Sequence, residues 1–217
     1  MSDDLHRLYP FLASRAADPA KLEQELLEAI AAKARVARDV NERFFAGAGR
    51  ALVAAASTIA QAYRNGGRLL TAGSGGSSCD AARIAIELVH PVQPGRPALA
   101  VVNLVADVAA LSALDGAQGL EQVFARQLAA HGRSGDVLIG ISASGRSPEL
   151  IAAFARARQL GITTIALIGH DGGALAEVVD HCLCVPTASS HRARECHAVA
   201  AHVLCDLVHT LLAGASR

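Results

Sequence analysis

From Gly67 onward the chain alternates five short aliphatic runs with longer amphipathic stretches, and this alternation restricts the fold more than any other feature. The runs are Arg68 to Ala72, Ala98 to Leu104, Val137 to Ser142, Thr163 to Gly169 and Cys182 to Pro186. They are apolar at nearly every position instead of every second one. Each must therefore be covered on both faces, as strands of a parallel sheet are when helices pack above and below. Helix-like segments start between them at Cys79, Ala109, Pro148 and Ala174, and a last helix runs from Arg192 to Leu212. The pattern predicts a doubly wound α/β domain on a five-stranded parallel sheet.

Ahead of the sheet, Leu22 to Arg64 is rich in Ala, Glu, Lys and Arg, with Leu26, Ile30, Val36, Val40 and Phe44 at helical spacing. This predicts an N-terminal helical pair split near Gly47-Ala48-Gly49: an arm over residues 1–66, used in packing or oligomerisation, before a domain over 67–217, the whole being one structural unit. The pair is too short for a core of its own, so its apolar stripe must pack back on the sheet or on a second subunit. With 217 residues, 52% of them hydrophobic, the chain can bury a sizeable core and is not disordered. Twenty basic side chains balance 20 acidic ones, which gives no long-range pull toward nucleic acid or an anionic membrane. Five Phe, two Tyr and no Trp argue against base-stacking or sugar-stacking surfaces. The opening Met1-Ser2-Asp3-Asp4 is polar and acidic, unlike a secretory leader, and Asp107, His202 and Asp206 interrupt the best candidates for a membrane span. Five cysteines, odd in number and without paired zinc spacing, read as small buried hydrophobes in a reducing compartment. A cytoplasmic protein is expected.

In a doubly wound sheet, ligands settle at the carboxyl ends of the strands, beside helix N-termini. Two such ends are polar here. Gly73-Ser74-Gly75-Gly76-Ser77-Ser78 follows the first run, ahead of a helix opening at Cys79-Asp80. Its glycines permit close backbone approach, and free amides at a helix start attract an anion. Ser142-Ala143-Ser144-Gly145-Arg146-Ser147-Pro148-Glu149 follows the third run, with Ser147 as N-cap and Pro148 as first helical residue. Three hydroxyls around one helix start make a cradle for a phosphate monoester. No P-loop occurs, the glycine loop lacks the third glycine of a dinucleotide fingerprint, and Gly140-Ile141-Ser142-Ala143-Ser144 is not a nucleophile elbow.

Taken in order, Gly73-Ser74-Gly75-Gly76-Ser77, the run Gly119 to Gln127, the run Gly135 to Ser142 and Asp171-Gly172-Gly173 resemble the SIS (sugar isomerase) phosphosugar-binding family over Leu22 to Leu212. Within it they resemble the phosphoheptose isomerase group, which interconverts sedoheptulose 7-phosphate and a manno-heptose 7-phosphate. The DnaA initiator-associating protein DiaA is a non-enzymatic relative. The resemblance implies a flavodoxin-like domain, a homotetramer with sites between subunits, and a phosphorylated sugar as ligand. It implies that Ser142, Ser144 and Ser147 bind phosphate, that Ser74, Gly75, Gly76 and Ser77 form the glycine loop of the site, and that Asp107 contacts substrate. Glu87 matches the glutamate that moves the substrate proton and His202 the last-helix histidine that acts as acid/base or metal ligand. An enediol isomerisation needs such a pair, one group for a carbon-bound proton and one for the oxygens.

Two positions depart from the family. Arg83 stands where histidine is usual, four residues before Glu87, and Arg194 where glutamine is usual, eight before His202. In many of these isomerases His, Glu, Gln and His hold zinc; a guanidinium has no lone pair to offer, so the zinc is expected to be lost. Arg83 and Glu87, four apart on one helix, are expected to pair. Alternatively Arg83 and Arg194, with Arg146 nearby, bind a second anionic group, or they simply reach solvent or bridge subunits. Cys196, His197, Cys205 and His209 are expected at the surface or an interface. Two functions remain: an isomerase of the phosphoheptose type, and a catalytically silent regulator of the DiaA type.

Overall fold

The computed structural model describes residues 19–214; the opening Met1 to Asp4 lies outside them. One helix, α1 (Pro19–Arg64), precedes β1 (Leu69–Gly73), α2 (Gly76–Val89), β2 (Val101–Asn103), α3 (Val108–Gln118) and, after a 3-10 turn, α4 (Val123–His131). Then follow β3 (Val137–Ser142), α5 (Pro148–Gln159), β4 (Thr163–Ile168), the single turn α6 (Gly173–Ala176), β5 (His181–Cys184) and α7 (Ser190–Gly214). The strands form one parallel sheet in the order β2-β1-β3-β4-β5. The doubly wound five-stranded expectation holds.

Successive strand residues point to opposite faces, and both faces carry a core. Leu69, Val137, Ile139, Ile141, Ile165 and Leu167 pack against α1, α2 and α7. Leu70, Ala72, Leu138, Ala166 and Ile168 pack against α4 and α5.

The N-terminal pair is a single helix of 46 residues, not two. Gly47 and Gly49 cost about 1 kcal/mol each relative to alanine inside a helix. The buried face runs on across them from Val40 and Phe44 to Leu52, Ala55, Ala56 and Ile59, so packing outweighs the break. Gly66, at φ 80°, finally stops the helix in the left-handed region. The second half of α1 packs back on its own domain, chiefly along α7, while Leu22, Leu26, Leu27 and Ile30 in the first half stay exposed.

Other boundaries move. The helix expected at Cys79 opens at Gly76; the strand expected over 98–104 keeps only three residues at the sheet edge; the segment from Ala174 is one turn. α4 was not separated from the segment starting at Ala109. By length and composition α7 is apolar enough to cross a membrane, because His202 and Asp206 interrupt it too sparsely. Its Ala193, Cys196, Ala200, Ala201 and Leu204 are nevertheless buried in the core.

Candidate functional site

The winding of the sheet reverses between β1 and β3, which lie side by side with Gly73 opposite Ile141. That switch point is where an open α/β sheet leaves a crevice, and both polar loops open there. After β1, Gly75 turns the chain at φ 57°, a conformation side chains resist, and α2 begins one residue later. Ser77 is buried and Ser78 donates its hydroxyl to the Gly75 carbonyl at 2.6 Å. After β3, the three serine hydroxyls converge: Ser142 Oγ lies 2.8 Å from Ser147 Oγ and 3.4 Å from Ser144 Oγ, and accepts from the Gly145 N–H at 3.1 Å. Ser147 holds the N-cap position of α5, as expected, but its hydroxyl goes to Ser142 and not to the helix amides, and its carbonyl accepts from the Leu150 and Ile151 N–H groups at 3.1 Å each. Gly145, at φ 68°, lies so near Gly172 that a Cβ would come within 2.2 Å of its carbonyl oxygen. The Asp171-Gly172-Gly173 segment thereby backs the cradle.

Arg146 stays beside the cradle, its guanidinium donating to the Ser144 carbonyl at 3.2 Å. Its guanidinium grips both carboxylate oxygens of exposed Asp171 at 2.9 and 3.0 Å, and this hydrogen bonding lowers the Asp171 pKa. Asp107 caps α3, accepting from the Ala110 N–H at 2.9 Å at the end of edge strand β2.

α2 and α7 pack side by side and carry the four remaining candidates. Glu87 and His202 meet directly, Oε1 to Nδ1 at 2.5 Å, with the carboxylate largely covered and the imidazole 55% exposed. They line a cavity of about 540 Å³ with Pro91, Val92, Arg96 and Asp206. Arg83 and Arg194 share a separate cavity of about 370 Å³ near the start of both helices, with Gly76 and Asp80. The expected Arg83–Glu87 pair is not made: Glu87 has His202, and Arg83 turns back to Asp80, 3.9 Å away. The serines 142, 144 and 147 line neither cavity, so one chain presents the cradle, the arginine pair and the Glu–His pair as neighbouring openings.

Asp80 was overlooked. It is 5% exposed, and burial raises its pKa against the opposing charges of Arg83 and Arg194. Its place three residues before Arg83 was a readable signal. Cys205 and Cys196 are buried, as expected of cysteines that serve as small hydrophobes and not of surface or interface groups, and Cys205 lies beside Glu87; burial, then the Glu87 charge and hydrogen bond, push its thiol up to about 12. His197 and His209 are also buried, not surface groups, because each falls on the inward face of α7; no ring nitrogen of either has a hydrogen-bond partner. Among the described residues no three His, Cys, Asp or Glu side chains gather as a metal site would require. At the four positions that hold zinc in the family, two side chains are guanidiniums, so the donor set does not fit the ion.

A hydroxyl cradle and glycine loop at the switch point of a doubly wound sheet define a phosphosugar-binding α/β protein. The chain belongs to the SIS domain family, which matches residues 34–169, and to its phosphoheptose isomerase group. It is 42% identical to a phosphoheptose isomerase of Roseiflexus sp. over 174 residues, 80% of this chain and 88% of that protein. It is 40% identical to one from Bradyrhizobium sp. over 199 residues, 92% and 97%. The solved phosphoheptose isomerase of Neisseria gonorrhoeae superposes with a TM-score of 0.81 at 34% identity, covering 85% of this chain and 99% of that one.

Proposed function

We propose that this chain is a sugar-phosphate isomerase that interconverts an aldose and a ketose of the sedoheptulose 7-phosphate type through an enediol, without zinc. The contact of Glu87 with His202 at 2.5 Å carries the reading. The Glu87 carboxylate takes the proton from the carbon next to the carbonyl, and the His202 ring passes protons between the two oxygens of the enediol. The sugar's phosphate sits on Ser142, Ser144 and Ser147 at the N-terminus of α5, with Ser74, Gly75, Gly76 and Ser77 closing over it ahead of and at the start of α2 and Asp107 reaching the sugar. The relatives named above act on such a substrate, to judge by their name. Assembly as a cytoplasmic homotetramer belongs to the same reading: a second subunit over the α2–α7 groove would join openings that lie apart in one chain.

Arg83 and Arg194 favour a second reading, a silent sugar-phosphate-binding regulator. The two separate in one experiment: a thermal-shift screen of heptose, hexose and pentose phosphates, then an isomerase assay on each hit. Turnover is expected, and Glu87→Gln or His202→Ala should lower kcat by about 10²- to 10⁴-fold while the thermal shift persists. A wild-type protein that binds a sugar phosphate and never turns it over is the regulator.

A further inference from the structure

The cavity between the N-terminal halves of α2 and α7 holds three guanidiniums, Arg83, Arg192 and Arg194, against two carboxylates, Asp80 and Glu195. Arg83 and Arg194 enter it from the two helices, and one buried carboxylate, Asp80, attracts both. The Arg83 Nε is buried and has no hydrogen-bond partner, its distance to Asp80 of 3.9 Å being too long. Arg194 makes no hydrogen bond or ion pair among the described residues. Its guanidinium lies over Gly76, where a Cβ would come within 2.4 Å of it, so a side chain there would push the guanidinium aside. The cavity's third cation, Arg192, is engaged by Glu195 at 2.8 Å and the Lys33 carbonyl at 3.1 Å. Two guanidiniums from different helices, sharing one carboxylate and keeping one net positive charge between them, match an oxyanion. Gly76 belongs both to this cavity and to the glycine loop, which joins the arginine pair to the crevice that holds the serine cradle.

We infer that Arg83 and Arg194 form a second anion site, and that the ligand is a doubly anionic sugar. Its phosphate rests on the serine cradle and its second oxyanion, phosphate or carboxylate, bridges the two guanidiniums. The inference rests on the sugar-phosphate reading above and narrows it. It also accounts for the position at which the family's metal donors are missing: a cation is still present there, but a fixed one that attracts anions and ligates nothing.

The test is calorimetric titration of the full chain with sedoheptulose 7-phosphate, sedoheptulose 1,7-bisphosphate, 6-phosphogluconate and inorganic phosphate at constant ionic strength. At least one doubly anionic probe should bind about 10- to 100-fold tighter than the monophosphate. A gain with the bisphosphate alone assigns a phosphate to the site; a gain with the sugar acid alone assigns a carboxylate. Arg83→Gln and Arg194→Gln should each erase most of that gain and leave the monophosphate affinity within about twofold. Ser144→Ala should weaken every probe. Monophosphate binding with no gain from a second anion overturns this inference alone. So does an equal loss for all probes in the arginine variants, which would assign both arginines to the single phosphate. Failure of every sugar phosphate to bind overturns the broader reading as well.

Discussion

Whether the α2–α7 groove can take a metal depends on lone pairs at four side chains. Glu87 and His202 have them; Arg83 and Arg194 do not. Arg83 and Glu87 are four residues apart on α2, and Arg194 and His202 eight apart on α7, so each pair shares one helix face of two helices that pack side by side. The double variant Arg83→His, Arg194→Gln restores the full donor set. It is expected to retain about one zinc per chain through desalting, by elemental analysis, where the wild type retains none. Wild-type protein holding equimolar zinc that Glu87→Gln releases would sink the metal-free reading. The serine cradle was legible in the sequence because strand, hydroxyls and Ser147-Pro148 lie within a few residues of one another. The arginine pairing was not, since Arg83 had two acidic choices at helical spacing, Asp80 and Glu87. His202 settles the matter from a helix more than a hundred residues away.

At the scale of elements, strands were legible and ends were not. Central β3 reads directly from its six apolar residues because both of its neighbours and both of its faces are filled. Edge strand β2 shrinks to three residues because only β1 pairs with it. α1 shows the opposite failure: local glycines predicted a break that distant packing on α7 overrode. Its first half still lacks a partner. Leu22, Leu26 and Ile30 recur every fourth residue, with Ile30 64% exposed, forming an apolar row that a monomer leaves in water. If a second chain covers it, Leu26→Glu with Ile30→Glu should convert a tetramer of about four chains to smaller species in sedimentation velocity, without loss of helical circular dichroism. A tetramer unaffected by both charges would place the interface elsewhere.

Stability of the whole molecule is tied to protons by histidines that the sequence alone suggested were peripheral. His197 is fully buried in α7, and burial lowers its pKa from 6.5 to about 4. His209 is depressed in the same direction, by burial first and then by the Arg96 charge. A base whose folded pKa is lowered stays neutral in the native state while the unfolded chain takes up its proton. The resulting stability is complete above pH 6.5 and is lost as pH falls toward 4, at up to about 1.4 kcal/mol per unit and roughly 3 kcal/mol for His197 in all. Asp80 acts in the opposite sense, its raised pKa favouring the protonated native form, so the part of the slope that belongs to His197 is read from the variant that lacks its ring. The urea midpoint should fall steadily from about pH 7 to about 4.5. His197→Leu, which fills the same apolar space without a titrating group, should flatten the slope even where it changes the midpoint at pH 7. A wild-type midpoint independent of pH between 7 and 4.5, or a variant with an unaltered slope, would mean that His197 is charged or hydrated in the folded protein and that α7 is less tightly seated on the sheet than its burial implies.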